Sequence, residues 1–410
     1  MKQKGRDFRP YLKPVTRIEL TETNTKLRWA LIVVLLAVAV VAIGTGLMSL
    51  LNTQPGWQTV EVTASGPNCG GDFKFLYDFS DWGSAATAKN KELTGLYSEA
   101  AQNAYRLFSP EVLEEGLQNV AYLNAHVNEA VTVDPGLYPA LELLAAYDDR
   151  HCFLAPAGAE YDRVFLCEND AEAALYDPAR NPGTAQWLRE LAAYARDPEQ
   201  IRLEILGQNR VRLRVSEEYL AFAEENEIGT FLDFGWMKNA FIADYLARVL
   251  TEKGFTHGYL VSYDGFTRNL DERGGEYTFN LFNRQGTEVD LPARMRYNAP
   301  ASLVFLRDYP MAEEDRWHYY TFASGQIVTA FLDPEDGQSK SALSNLVAYA
   351  DGLGCGEILL RTAPVFIADT LDTAPLEALA REGLFAVWFE GETLMHTDPG
   401  LVLEPPSGGE

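Results

Sequence analysis

Apolar positions along the chain recur with three different periods, and each predicts a different element. Residues 29–51, WALIVVLLAVAVVAIGTGLMSLL, carry no charge at all. As a helix they would reach roughly 34 Å, just over the ~30 Å hydrocarbon core of a bilayer, which predicts a transmembrane helix. A cleaved signal peptide would need a shorter apolar run and a small-x-small cleavage site, and GTG at 44–46 is a poor one. Helical spacing marks AATAKNKELTGLYSEAAQNAYRLFS, GLYPALELLAAYDDR, QWLRELAAYARD and PLEALAREG. In KNAFIADYLARVLTEKGF, Ile242, Leu246, Val249 and Leu250 form one stripe and Met237, Phe241 and Tyr245 a second, so this helix is buried on more than one side. Gly254 is placed as its C-terminal cap.

Strict alternation marks the strands. IRLEILGQNRVRLRVS reads as a hairpin around GQN, and LFAVWFEGETLMH as another. GTFLDFG, GYLVSYDG, YTFNLFN, ASLVFL, HYYTFAS and IVTAFLD read as strands of a sheet, and SNLVAYADGLGCGEILLR as a helix or a strand–helix unit. Helices and strands intermix without regular βαβ alternation, so the expected class is α+β. The expected organisation is a cytoplasmic basic tail (1–28), a transmembrane helix (29–51), a linker (52–72), one large domain (73–403) and a loose tail (404–410).

Charge sharpens this picture. The tail before the apolar run has eight Lys and Arg against three Asp and Glu, and no charge follows the run until Glu61. That asymmetry places the N-terminus in the cytoplasm and the remainder outside, as a single-pass, extracytoplasmic domain held at the cell membrane. The whole chain of 410 residues has a formal net charge of −25, and without the basic tail the exported part is near −30. A surface so acidic excludes nucleic acid as a partner, because phosphate binding needs clustered Lys and Arg. Four cysteines (Cys69, Cys152, Cys167, Cys355) show no zinc spacing. Two disulfides and free thiols both remain open.

Catalytic signatures are absent: no G-x-S-x-G, no Walker A, no H-E-x-x-H. GLGCGE at 352–357 has the wrong glycine spacing for a dinucleotide loop. The five histidines, His126, His151, His257, His318 and His396, are scattered.

Four longer stretches carry more. LDFGWMKNAFIADYLARVLTEKGF resembles the pattern D-L-G-G-I-A-K-G-Y-A-V-D of the FAD:protein FMN transferases (ApbE-like flavinyltransferases), with Asp233, Gly235, Asp244 and Gly254 in step. FLDPEDG at 331–337 is similar to that family's H-I-I-D-P-x-T-G, and VAYADGLGCGEIL to its V-x-A-x-x-A-D-A-L-A-T-A-L. The stretch from FSPEVL through LELLAAY resembles the family's upstream S-E-L and V-x-V-x-P-E-L region.

The resemblance implies binding of FAD and Mg²⁺ and transfer of FMN to a Thr or Ser of an exported acceptor protein. It implies cofactor contacts at Gly235, Lys238, Asn239, Asp244, Gly265 and Asp333, and a metal held by Asp351 and the residue four positions on. That residue is Cys355, a poor ligand for hard Mg²⁺. The family's histidine falls on Ala330, so no catalytic residue is assigned; losing a general base costs about 10²–10⁴-fold in rate. Trp236 replaces a glycine and Asn239 the family's lysine, leaving Lys238 one position away as a solvated charge at the helix start. These departures imply a catalytically impaired relative, a pseudoenzyme that binds a flavin or a partner protein such as a membrane complex. The alternative is an active, Mg-dependent FAD:protein FMN transferase. An unrelated envelope protein would lack the α+β core altogether.

Overall fold

In Phe73–Asp78 the rings of Phe73, Phe75 and Tyr77 are buried while Lys74 is exposed, the period-two pattern of a strand with one face on a core. This strand is second in an eight-stranded antiparallel sheet of the computed structural model, which describes residues 56–406. The anchor expected over 29–51 and the end of the tail lie outside the described residues. Among the described residues no helix is long and apolar enough to cross a membrane.

The sheet runs Trp57–Val60, Phe73–Asp78, Gly258–Ser262, Phe266–Asn269, Ala301–Arg307, Asn345–Asp351, Leu384–Glu390 and Thr393–His396. Its order in space is its order in the chain. Every long gap in this meander is therefore an excursion that returns to the neighbouring strand.

The largest excursion, residues 79–257, is mainly helical and covers one face. Helix Lys238–Glu252 lies against Ala86–Leu107 and Cys355–Phe366. Its Ala240, Phe241, Ile242, Ala243, Leu246, Ala247 and Leu250 are buried, while Tyr245 and Val249 of the two expected stripes are half-buried. Each large aliphatic side chain so buried contributes about 1.5–3 kcal/mol. Gly254 follows the helix at φ 81°, the left-handed conformation of a C-terminal cap.

The opposite face is covered by the long hairpin Glu276–Gln285 and Glu288–Asn298, which Val402–Glu404 joins as a third strand. Leu303, Phe305, Val347, Tyr349, Val387 and Phe389 pack on this side with Leu281 and Met295, while Val304, Leu306, Leu346 and Ala348 point to the helices. Ala301–Arg307 is buried along its whole length because both its faces are covered. The mixed α+β class expected from the sequence is observed.

Three local expectations differ. GTFLDFG is not a strand: Asn124 takes the place of a strand partner, accepting from the N–H groups of Phe231 (3.1 Å) and Leu232 (2.9 Å) and donating to Leu232 O (2.9 Å). YTFNLFN belongs to the covering hairpin rather than the main sheet. Tyr319–Thr321 and Ile327–Thr329 also leave the main sheet, pairing only with each other. The hairpin around GQN forms, with Gln208 and Asn209 both at positive φ. Glu404, at the start of the expected tail, ends a strand and pairs with Arg294 and Arg296.

Candidate functional site

The segment that abandons strand geometry at 229–235 enters helix Lys238–Glu252 through a short 3₁₀ turn, Gly235–Met237. Opposite it stand helix Ala155–Phe165 and the small hairpin that carries His318 and Ala330. Between them is a cavity of about 430 Å³, within the range of small-molecule and cofactor sites. Its walls combine Phe165, Trp236 and Trp317 with Glu111, Asp162, Asp233 and Lys238, and both His151 and His318 reach it. Hollows of about 770 and 650 Å³ lie elsewhere, without any residue of the 233–238 stretch.

The cavity gathers Gly235 and Lys238 from the residues implied by the resemblance, together with Asp233, Trp236 and Ala330. Lys238 is half-buried rather than a freely solvated charge, and its ammonium acts electrostatically on Asp72, Asp233 and His318. Trp236 stands edge-on to Phe331 (4.9 Å) and His151 (6.1 Å), so a large ring occupies part of the space that a glycine would leave open.

The other implied residues are placed elsewhere. Asn239 donates to Asp264 (2.9 Å). Asp333 holds its own turn and pairs with Lys340 at 2.8 Å. Gly265, at φ 114°, lets a strand pass: a Cβ there would meet Phe305 O at 2.3 Å. Asp244 accepts from the N–H groups of Cys355 and Gly356, both at 2.8 Å, and so caps helix Cys355–Phe366 with its own carboxylate. Gly354 permits that approach, since a Cβ would lie 2.4 Å from Asp244 Oδ2. The glycines of GLGCGE thus admit a side chain of the same protein, and this helix N-terminus is closed to a phosphate.

The implied metal pair does not fit a divalent cation. Asp351 is exposed at the end of its strand, whereas Cys355 is buried with its thiol directed to Thr267 O (3.3 Å) and Leu303 O (3.9 Å). Burial, reinforced by Asp244, pushes the thiol pKa well above its ordinary value, so the sulfur stays protonated and offers a hard cation nothing. Among the described residues no three His, Cys, Asp or Glu side chains converge as metal ligands. All four cysteines are free thiols.

Charge in the cavity is shaped by burial. Asp162 is raised by desolvation, then by Asp233 and Glu111; Asp233 is raised by desolvation against the pull of Gly235 N–H and Lys238. His318 is lowered by desolvation, although Asp264 draws it back. This histidine lies directly across the hairpin from Ala330, whose N–H donates to His318 O at 3.0 Å.

The sequence reading left His151 among scattered histidines. Its Nδ1 is 2.8 Å from Asp149 Oδ1, and Asp149 Oδ2 accepts from Cys152 N–H at 2.9 Å. Burial works against the Asp149 anion, but His151 and these hydrogen bonds hold its pKa below the ordinary value. The other ring nitrogen, Nε2, is buried and has no hydrogen-bond partner among the described residues. The D-x-H spacing of Asp149 and His151 was the available signal.

The architecture has solved counterparts. The chain is similar to the ApbE protein of Thermotoga maritima, with a TM-score of 0.55 and 12% identity over 83% of this chain and 97% of that one. It is also similar to the flavin transferase ApbE of Vibrio cholerae, with a TM-score of 0.50 and 12% identity over 86% and 98%. The fold is that of the ApbE proteins. No family model matches the sequence, and no curated protein matches it. The likeness is therefore one of backbone architecture.

Proposed function

We propose that this protein is a flavin-binding member of the ApbE fold that has lost Mg-dependent FMN transfer, tethered to the outer side of a membrane. The observation that carries the reading is the paired loss at two positions. Cys355 turns a buried, protonated thiol toward carbonyl oxygens, and Ala330 presents a methyl group to the cavity. The aromatic walls and the volume suit a flat ring, which supports binding without the chemistry. The uncharged run at 29–51 and its basic flank support the tether and the orientation. A domain held there would meet exported flavoproteins or membrane complexes at raised effective concentration.

A second reading, an active FAD:protein FMN transferase, is favoured by His318. It faces Ala330 across the hairpin and lines the same cavity, so an imidazole persists near the lost position.

The two separate in one assay: full-length protein with FAD and an exported flavoprotein acceptor, with Mg²⁺ or with EDTA. Flavin fluorescence reports binding and chromatography reports AMP. Binding that ignores EDTA, with no AMP after prolonged incubation, is expected. Magnesium-dependent AMP release, abolished in His318→Ala, would establish the second reading instead.

A further inference from the structure

Resting on the tethered reading, we propose that an aromatic groove beside Trp57 seats in the headgroup boundary of the bilayer and holds the cavity at the membrane-distal end of the domain. Three observations lead there.

The first is a sheet face that the fold leaves open. The covering hairpin packs on Leu303, Phe305, Val347 and Val387, in the second half of the sheet. Over the first half, among the described residues, a groove of about 650 Å³ remains between the sheet and the free edge of Glu276–Gln285. Trp57, Leu76, Tyr259, Val261, Tyr277 and Phe279 line it. Trp57 is 44% exposed, with its ring 5.6 Å from Tyr259 and 6.2 Å from Tyr277. An open apolar patch of this kind marks a contact surface.

The second is the chemistry of the lining. Trp and Tyr join an apolar ring to a polar tip, which suits them to the boundary between lipid and water. Tyr277 shows both halves, its ring in the groove and its O–H donating to Asp271 Oδ2 at 2.7 Å. The rim charges are paired: Arg273 with Asp271 (2.8 Å) and Asp78 (3.0 Å), Glu276 with Arg296 (3.2 Å). The groove therefore draws lipid through its rings rather than through ionic contacts with phosphates.

The third is reach. The uncharged run ends at Leu51, and the five links from there to Gly56 span at most about 18 Å. Trp57 cannot stray far from a membrane that holds the run. It lies opposite Asp78, whose N–H donates to His257 O at 2.8 Å, just beyond the C-terminal end of helix Lys238–Glu252. The other end of that 15-residue helix, about 22 Å away, carries the cavity's Lys238, close to Asp72 and Asp264 at the far end of the strands. Groove and cavity thus stand at opposite ends.

The test is tryptophan fluorescence of the full-length chain, one copy per lipid nanodisc, with and without bromine on the lipid chains near the headgroups. Trp57→Phe gives the emission of Trp57 by difference, and Trp317→Phe that of Trp317, which lines the cavity and is 53% exposed. Tyr277→Trp, made in the Trp57→Phe background, reports the groove from a position far from the tether in the chain. Melting curves verify that the variants fold. Bromine is expected to quench Trp57 and the tryptophan introduced by Tyr277→Trp, and to leave Trp317 unchanged. Quenching of Trp57 alone would come from the tether and overturns the seat, as does quenching of Trp317. Shielding of the groove only in discs that hold two chains assigns it to a second copy and overturns the seat as well. In these three cases a chain that resists an alkaline wash leaves the tether standing. Release by the wash overturns tether and seat together.

Discussion

At the scale of single residues, carboxylates in this protein are used as internal partners more than as ligands. Asp244 is the clearest case, with two backbone N–H groups on its oxygens and Arg268 Nε at 3.4 Å. Replacing it by Ala would leave two helix-terminal donors and a guanidinium without their anion. Asp244→Ala is expected to lower the unfolding free energy by about 1–3 kcal/mol in urea titrations. A loss within a few tenths of a kcal/mol would mean that water replaces the carboxylate at no cost. The same position looked like a cofactor contact in the sequence because an Asp in a helix carries no mark of what it caps. Its partners are about 110 positions away in the chain.

At the scale of elements, the hairpin carrying His318 and Ala330 is tied to the sheet by a buried ion pair and by Tyr319 OH, which donates to Arg307 O at 2.9 Å. Arg307, at the end of Ala301–Arg307, reaches Asp315 at 2.7 Å with 3% and 6% of the two side chains exposed. Asp315 also accepts from Met311 N–H and Ala312 N–H, closing the turn that presents Trp317 and His318. Removing one partner of such a pair leaves a charge buried alone, a loss of about 3–5 kcal/mol. Arg307→Met is thus expected to lower the melting temperature and to speed amide exchange at residues 315–320 relative to the rest of the sheet. Unchanged exchange there would show that the hairpin is held by its apolar contacts instead. GTFLDFG teaches the complementary lesson about elements. Its alternation is that of a strand, yet the neighbour that would have completed the pairing is a side chain, Asn124.

At the scale of the whole molecule, burial of acids sets the pH response. Asp162, Asp233, Asp244, Asp264 and Asp308 are each raised above 3.8, chiefly by desolvation. The folded state holds these protons to higher pH than the unfolded chain, so stability falls as pH rises from 3.8 through the raised values. Asp78 and Asp271 are lowered: desolvation opposes the shift, but Ser80 and Arg273 hydrogen bonds outweigh it at Asp78, and Arg273 and Tyr277 at Asp271. The stability they contribute is present above 3.8 and is lost as pH falls below it. Thermal unfolding at constant ionic strength is expected to give its highest midpoint in acidic buffer, around the ordinary value of 3.8 where the two trends meet, and a lower one at neutral pH. A maximum at neutral pH or above would contradict the burial of the first group.

Much of the architecture was legible in local pattern. The stripes of Lys238–Glu252, the turn at Gln208 and Asn209, the cap at Gly254 and the mixed class all follow from periodicity and backbone chemistry, which act over a few residues. The order of landmarks along the chain also carried the resemblance to the fold that the structure displays. The cavity was not legible in the same way. His151 acquires meaning from Asp149 and from Trp236, Asp244 from Cys355 and Gly356, and Lys238 from the half-buried wall it joins. Side-chain chemistry is written in the sequence, but burial, charge neighbours and the choice of hydrogen-bond partner arise only when distant segments pack. Those three quantities decide whether a polar residue caps a helix, closes a turn or faces a ligand.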